Sequence, residues 1–293
     1  MPELPEVQTT VNGLEKEVLG RTFLGLWTDT PKIFRNTNFQ DFKKKIIGKK
    51  IICIKRRAKN ILIFLSDDLV ILIHLKMTGH LLLGDWQYNE KIETWESMSE
   101  GPIKYDPYNR FVRVFFCLDD GRKIGLCDAR KFAKIELWTN KQIENEVFKT
   151  TGPEPLEKDF TLERFISLFS KKKRGRVKQI LMDQEFIAGI GNIYASEILF
   201  EAKVHPEKDV SLLSRDDLKN IYEAIKNILP KGVEAGGDSF SDYRNVYGEK
   251  GKFQNQMNVY GRENRECVRC GTPIRKIVIG TRGTYYCPEC QKK

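Results

Sequence analysis

Val7, Val11, Leu14 and Val18 recur at the spacing that puts apolar side chains on one face of a helix. Pro5 suits the first turn of that helix, where an absent N–H costs nothing, and Gly20 stands where a C-terminal cap is expected. The period then changes. Short runs rich in Ile, Leu and Val at 51–55, 61–65 and 70–75 predict strands, with a turn at Ser66, Asp67 and Asp68. A second hairpin is predicted from 111–118 and 123–127, folded about Asp119, Asp120 and Gly121. Strands this closely spaced predict a sandwich or barrel. Residues 85–107 are polar and aperiodic and predict a loop or insertion.

The pattern changes again near residue 150. Thr151, Gly152, Pro153, Glu154 and Pro155 break the chain and read as a linker. Helical periodicity follows at 162–169, 177–183, 193–202 and 215–229, and short strands with clustered cysteines occupy 251–293. The expected fold class is α+β. It comprises a β-rich domain with flanking helices at 1–150, a helical domain at 151–250 and a small metal module at 251–293.

Composition narrows the partners. The chain is 40% hydrophobic and 31% charged, which is globular. There is no apolar run long enough to span a membrane, and Met1 to Glu6 resembles no export signal, so a cytoplasmic protein is expected. The net charge of +10 favours a polyanion, and its arrangement is more telling than its size. Residues 171–178 read KKKRGRVK, and the stretch from Glu249 onward holds ten Lys or Arg against four Glu.

Cys53, Cys117 and Cys127 lie among apolar residues and read as reduced core thiols. The remaining four of the seven cysteines form Cys267-x2-Cys270 and Cys287-x2-Cys290, with 16 residues between the pairs. Each knuckle offers two thiolates from one tight turn, and two knuckles close a tetrahedron around zinc. Four protein ligands leave no open position, so the expected Zn2+ is single and structural. It would also supply folding energy that so short a segment lacks. Incidental cysteines or a redox dithiol are the alternatives.

Three further features carry candidate chemistry. Gly189, Ile190, Gly191 and Asn192 open a helix, where close backbone approach and free N–H groups suit a phosphate; the same glycines also suit a plain tight turn. Residues 280–284 predict a hairpin turn between the knuckles, and Arg282 there is either a groove or phosphate probe or a solvated turn residue. At the start of the chain, removal of Met1 would leave Pro2 with a free secondary amine, whose pKa of about 8 gives a useful neutral fraction. Such an amine can attack a sugar C1′, with Glu3 and Glu6 one turn away for proton transfer. Proline and glutamate equally suit a helix start for purely structural reasons.

These segments together resemble the formamidopyrimidine-DNA glycosylase family from end to end. The resemblance rests on MPELPEVQT at 1–9, RRAKNILI at 56–63, HLKMTGH at 74–80, DARKF at 128–132 and TGPEPL at 151–156. It continues with MDQEFIAGIGNIYASEILF at 182–200, EAGGDSFSDY at 234–243, VYGRENREC at 259–267 and the four-cysteine finger. It implies an N-terminal β-sandwich, a helix-two-turn-helix domain and a β-hairpin zinc finger. It also implies a monomeric glycosylase and abasic-site lyase that removes 8-oxoguanine and formamidopyrimidines from damaged double-stranded DNA by β,δ-elimination.

By the same resemblance, Pro2 is the Schiff-base nucleophile, Glu3 the acid that opens the sugar, and Glu6 its support. Lys59 is a proton donor in β-elimination, and Arg282 grips the phosphates beside the lesion. Lys178 and Asn192 hold the DNA backbone, joined by Lys173 and Arg110. Met77, Arg130 and Phe132 fill the hole left by a flipped base and meet its orphaned partner. Two departures stand out: Ala133 replaces a glycine, and Lys104 to Arg110 replaces a Lys-His-x-His-like segment. Segment 238–251 is the expected cap over the lesion. An endonuclease VIII-type enzyme acting on oxidised pyrimidines is the nearest alternative, although Leu4 stands where that type has glycine. A zinc-containing DNA-binding protein without activity is the other.

Overall fold

The computed structural model describes every residue except Ser241, which lies inside the expected 238–251 cap. The chain forms two compact units, Met1–Lys149 with Ala235–Gln254, and Thr150–Glu234 with Asn255–Lys293.

The first unit opens with helix α1 (Leu4–Val18), whose predicted apolar stripe is fully buried. Burying four such side chains is worth about 1.5–3 kcal/mol each before entropy is charged. After β1 (Phe23–Thr28) and α2 (Phe39–Ile46) come β2 (Ile51–Arg57), β3 (Asn60–Leu65), β4 (Leu69–His74) and β5 (His80–Gly84). Then follow β6 (Trp86–Asn89), β7 (Thr94–Ser97), β8 (Val112–Leu118), β9 (Lys123–Cys127), β10 (Lys134–Thr139) and the single turn α3 (Asn140–Gln142). Two antiparallel four-stranded sheets, β1-β8-β9-β5 and β10-β4-β3-β2, send side chains into one core with α1. This is the expected β-sandwich. In β2, Ile51 and Ile54 are both buried although three residues apart, because the register shifts between Ile51 and Cys53.

The loop expected at 85–107 is not structureless. β6 and β7 pair as a hairpin, and two short 3-10 turns follow. Trp86 is 1% exposed, and the Trp95 ring lies 4.5 Å from that of Phe115. Strands of four residues are too short to show a period, so aromatic anchoring rather than alternation holds them.

The second unit contains α4 (Leu162–Ser170), α5 (Val177–Met182), α6 (Asn192–Glu201), α7 (Arg215–Glu234) and the hairpin β11 (Arg275–Ile279) with β12 (Arg282–Tyr286). The helix predicted to end at 229 runs on through Pro230 to Glu234. The linker at 151–155 is pinned. The Gly152 N–H donates to Gln184 O at 2.9 Å, and the Ala188 N–H donates to Pro153 O at 3.0 Å. A Cβ on Gly152 would come 2.6 Å from the Phe186 backbone.

The structure redraws the domain boundaries expected at 151–250 and 251–293. After Glu234 the chain rejoins the first unit, because Val246 is a core residue of the sandwich. It fills the notch left by Gly13 on α1, where a Cβ would sit 2.5 Å from it, and its carbonyl accepts the Leu83 N–H at 2.8 Å. From Asn255 onward the cysteine-bearing segment folds with the helical unit.

Candidate active site and nucleic-acid interface

Pro2, Glu3 and Glu6 lie together, all buried, at the start of α1. Glu6 reaches back so that its Oε2 accepts the Glu3 N–H at 2.7 Å, the geometry of a capping box. Its Oε1 accepts the Asp238 N–H at 2.7 Å. The Glu6 carbonyl takes hydrogen bonds from Tyr243 Oη at 2.8 Å and Thr10 Oγ1 at 3.0 Å. Burial holds the Tyr243 hydroxyl well above the ordinary tyrosine range, so it stays a donor. Gly237 makes the approach possible: its φ is +81°, and a Cβ there would lie 2.9 Å from both Glu6 Cγ and Oε1.

Asp238 escapes a reading of the sequence. It is 6% exposed, and its carboxyl is pushed up to about 6 by burial, with Glu3 adding to the effect and the Phe240 N–H and the chain's amino terminus opposing it.

Lys59 sits in the tight turn between β2 and β3 and is only 6% exposed, unlike the solvated Lys55 nearby. Ala58 takes a φ of +53° in that turn. Arg56 ties it to α1, its Nε donating to Gln8 Oε1 at 2.9 Å. The Lys59 charge also reaches His74, whose imidazole is pushed down to about 3, chiefly by burial and then by Lys76, Lys134 and Lys59.

Met77, Arg130 and Phe132 are held on two adjoining turns. Buried Asp128 joins them: its Oδ1 accepts from Thr78 Oγ1 and from the Arg130 N–H, and its Oδ2 accepts the Ala133 N–H at 2.7 Å. Met77 is half-buried, while Phe132 is 47% exposed beneath the Arg130 guanidinium, 4.5 Å from its ring centre. An exposed phenylalanine stacked under an arginine is not core packing. Arg110 is exposed on a 3-10 turn and stacks 4.7 Å over Phe111.

The second unit gathers Lys178, Asn192 and the β12 hairpin. Lys178 is 1% exposed, and its Nζ donates to Asn192 Oδ1 at 2.8 Å, Ser196 Oγ at 2.9 Å and Thr284 Oγ1 at 2.8 Å. Asn192 begins α6 and donates from Nδ2 to Gly283 O at 3.0 Å. The cluster therefore locks the α6 start to the hairpin that presents exposed Arg282, whose carbonyl accepts from Thr284 Oγ1 at 3.2 Å. Lys173 is exposed in the basic run. Glu197, another residue the sequence does not single out, accepts the N–H groups of Asn258, Val259 and Tyr260 at 2.8 to 3.0 Å and so fixes the VYGR segment.

The four thiols fit one structural zinc. All four sulfurs of Cys267, Cys270, Cys287 and Cys290 lie within 4.8 Å of one another. Individual separations of 3.5 and 3.9 Å bracket the roughly 3.8 Å that four sulfurs at about 2.3 Å from a tetrahedral ion require. Backbone N–H groups of Arg269 and Cys290 point at Cys267 and Cys287 sulfur at 3.4 Å, which suits thiolates.

The pattern of the formamidopyrimidine-DNA glycosylase N-terminal domain matches residues 1–135, and that of its H2TH domain matches 151–244. A zinc finger found in FPG and IleRS matches 266–293. The formamidopyrimidine-DNA glycosylase of Streptococcus mutans is 38% identical over 294 residues, covering all of both chains. The chain belongs to the formamidopyrimidine-DNA glycosylase family. The enzyme of that name from Listeria monocytogenes is 37% identical, again over the full length of both. Lactococcus lactis Fpg solved with abasic-site DNA is 32% identical, with a TM-score of 0.86 over 99% of this chain and 100% of that one. The same Lactococcus lactis protein solved with Fapy-dG DNA matches at 32% identity and a TM-score of 0.84, with the same coverage.

Against this formamidopyrimidine-DNA glycosylase frame the two departures are accommodated differently. Ala133, expected to stand in place of a glycine, packs fully buried in the sandwich core. The 104–110 segment instead anchors the 238–251 stretch. Asp106 Oδ2 accepts from Arg244 Nε at 2.6 Å with both side chains 5% exposed, and Tyr108 Oη donates to Asp242 Oδ1 at 2.7 Å. Among the described residues, no helix is long and apolar enough to cross a membrane.

Proposed function

We propose that this family member is a bifunctional DNA glycosylase and abasic-site lyase that removes oxidised purines, 8-oxoguanine and formamidopyrimidines, from duplex DNA. It would act as a cytoplasmic monomer. The observation that carries the reading is the buried Pro2–Glu3–Glu6 start of α1, with Glu6 saturated by the Glu3 and Asp238 N–H groups. A helix start needs no such burial to be stable, whereas an amine nucleophile needs exclusion from water and a fixed direction.

Once Met1 is removed, the Pro2 nitrogen attacks C1′, the C1′–base bond breaks, and the base leaves with its electron pair and takes up the proton that the nitrogen sheds. C1′–O4′ then opens as Glu3 protonates O4′ and the freed nitrogen lone pair closes the C1′=N bond of an iminium. That cation acidifies C2′–H, so loss of this proton expels the 3′-phosphate, with Lys59 as proton donor. A second elimination, assisted by Arg282, expels the 5′-phosphate. Met77, Arg130 and Phe132 would fill the space of the flipped nucleotide. Asn192 and the α6 N-terminus would hold a phosphate, with Lys178 orienting Asn192, and Lys173 and Arg110 adding backbone contacts. The zinc, four-coordinate in protein sulfur, would only hold the finger.

Borohydride trapping tests the reading. With 8-oxoguanine duplex, the processed protein should give a covalent adduct that maps to Pro2. No adduct from a chain shown to begin at Pro2 would overturn the mechanism. Excision of thymine glycol in preference to 8-oxoguanine would overturn the substrate assignment.

A further inference from the structure

Asp238 is a third carboxylate at the amino-terminal site, and its setting is built. Gly236 and Gly237, at φ of +73° and +81°, turn the chain so that the Asp238 N–H meets Glu6 Oε1 at 2.7 Å and the residue is buried. The charges that act on it are those of Glu3 and of the Met1 amino group, one residue before Pro2, with Glu6 bound to its backbone and Tyr243 bound to Glu6. Among the described residues its side-chain hydrogen bond is local: Oδ1 accepts the Phe240 N–H at 2.9 Å. Asparagine would make that bond equally well. A turn cap therefore gives no reason for a buried carboxylate beside Glu3, where like charges repel.

We propose that Asp238 is the counter-charge for the cation that forms on the Pro2 nitrogen. The inference rests on the nucleophile reading above. A neutral amine becomes a cationic iminium during the reaction, so a fixed anion in this desolvated site favours the intermediate over the resting state. Asp238 acts through its charge and is not required to touch the substrate. The direction of its titration follows. Buried, it keeps its proton to about pH 6, so the counter-charge is present above that pH and lost below it. The rate of adduct formation should rise through pH 6 for this reason.

The test compares wild-type protein with Asp238→Asn and Asp238→Glu, all processed to Pro2, in single-turnover borohydride trapping from pH 5 to 8 on 8-oxoguanine duplex. Asp238→Asn should keep its duplex affinity but form adduct about tenfold or more slowly at pH 7.5, and its profile should lack the rise near pH 6. Asp238→Glu should regain part of the rate. A wild-type rate and profile in Asp238→Asn overturns the proposal and leaves the nucleophile reading intact. No adduct from wild type overturns both. A second measurement does not depend on catalysis or on the Asn variant folding. In the NMR titration of the Asp238 carboxyl, Glu3→Gln should lower the midpoint, and an unmoved midpoint would show that the two charges do not share the site.

Discussion

A buried carboxylate placed for its charge must weaken the fold that holds it, and Asp238→Asn measures by how much. The Asp238 carboxyl is raised from the ordinary 3.8 to about 6, mainly by burial. The unfolded chain loses that proton near pH 4 and the folded chain only near pH 6. Between those values the unfolded state binds fewer protons, so stability falls as pH rises, and the full loss is present above pH 6. A gap of roughly two pH units corresponds to about 3 kcal/mol. Asparagine has no charge to bury and keeps the Phe240 hydrogen bond. Asp238→Asn should therefore be more stable than wild type by up to about 3 kcal/mol at pH 7.5, or roughly 6 °C or more in melting temperature for a unit of this size.

The absolute pH profile would hide this effect. His74 and His80 are pushed down to about 3 and about 4, both chiefly by burial. Their unfolded forms protonate near pH 6.5, so they remove stability as pH falls through the same window, with the opposite sign to Asp238. Both histidines are common to the two proteins. The difference between the unfolding free energies of variant and wild type, followed by urea titration from pH 4.5 to 8, cancels them. That difference should grow with pH and level off above about 6. A variant no more stable than wild type at pH 7.5 would refute the reasoning. So would a gain that does not diminish toward pH 4.5, because its origin would then not be the charge.

Other parts of the molecule make independent demands. Arg244→Met leaves Asp106 buried without its partner and should cost about 3–5 kcal/mol in urea unfolding, most of it recovered in the double variant with Asp106→Asn. Lys178→Met should weaken duplex binding with little change in its salt dependence, because the Lys178 nitrogen is engaged by Asn192, Ser196 and Thr284; Lys173→Ala should reduce the slope of log affinity against log salt by about one. Removal of one equivalent of zinc by a chelator should make 266–293 protease-sensitive and leave the sandwich melting transition unmoved.

The sequence is most legible where the deciding interactions are local. The α1 stripe repeats within one helix, and the zinc knuckles keep two ligands within three residues of each other, so both can be read without any knowledge of the fold. The strands β1, β5 and β10 and the helix α2 give no comparable signal, since each is short and borrows its stability from neighbours across the core. β6 and β7 depend on Trp86 and Trp95 meeting Phe115. The return of 235–254 depends on Val246 finding Gly13, which no window along the chain can contain. Asp238 is hidden for the same reason. The glycines before it are conspicuous, but the partner that explains them, Glu6, lies 232 positions away.

The opening residues suit the chemistry proposed for the end of the chain. A buried amino terminus ordinarily strands several N–H groups, each costing on the order of 1–3 kcal/mol. Here Pro5 has none to strand, and the Glu3 N–H is taken by Glu6 Oε2. After loss of Met1, the Pro2 nitrogen is itself one of the donors at the segment's start. Two prolines and two glutamates in six residues thus lower the cost of holding that nitrogen away from water. The same composition suits any helix start, which is why Pro2 and Glu3 look structural in isolation. The distinction lies outside the segment: an ordinary capping box needs no Gly237 stripped of its Cβ to admit Glu6, and no buried Asp238 behind it.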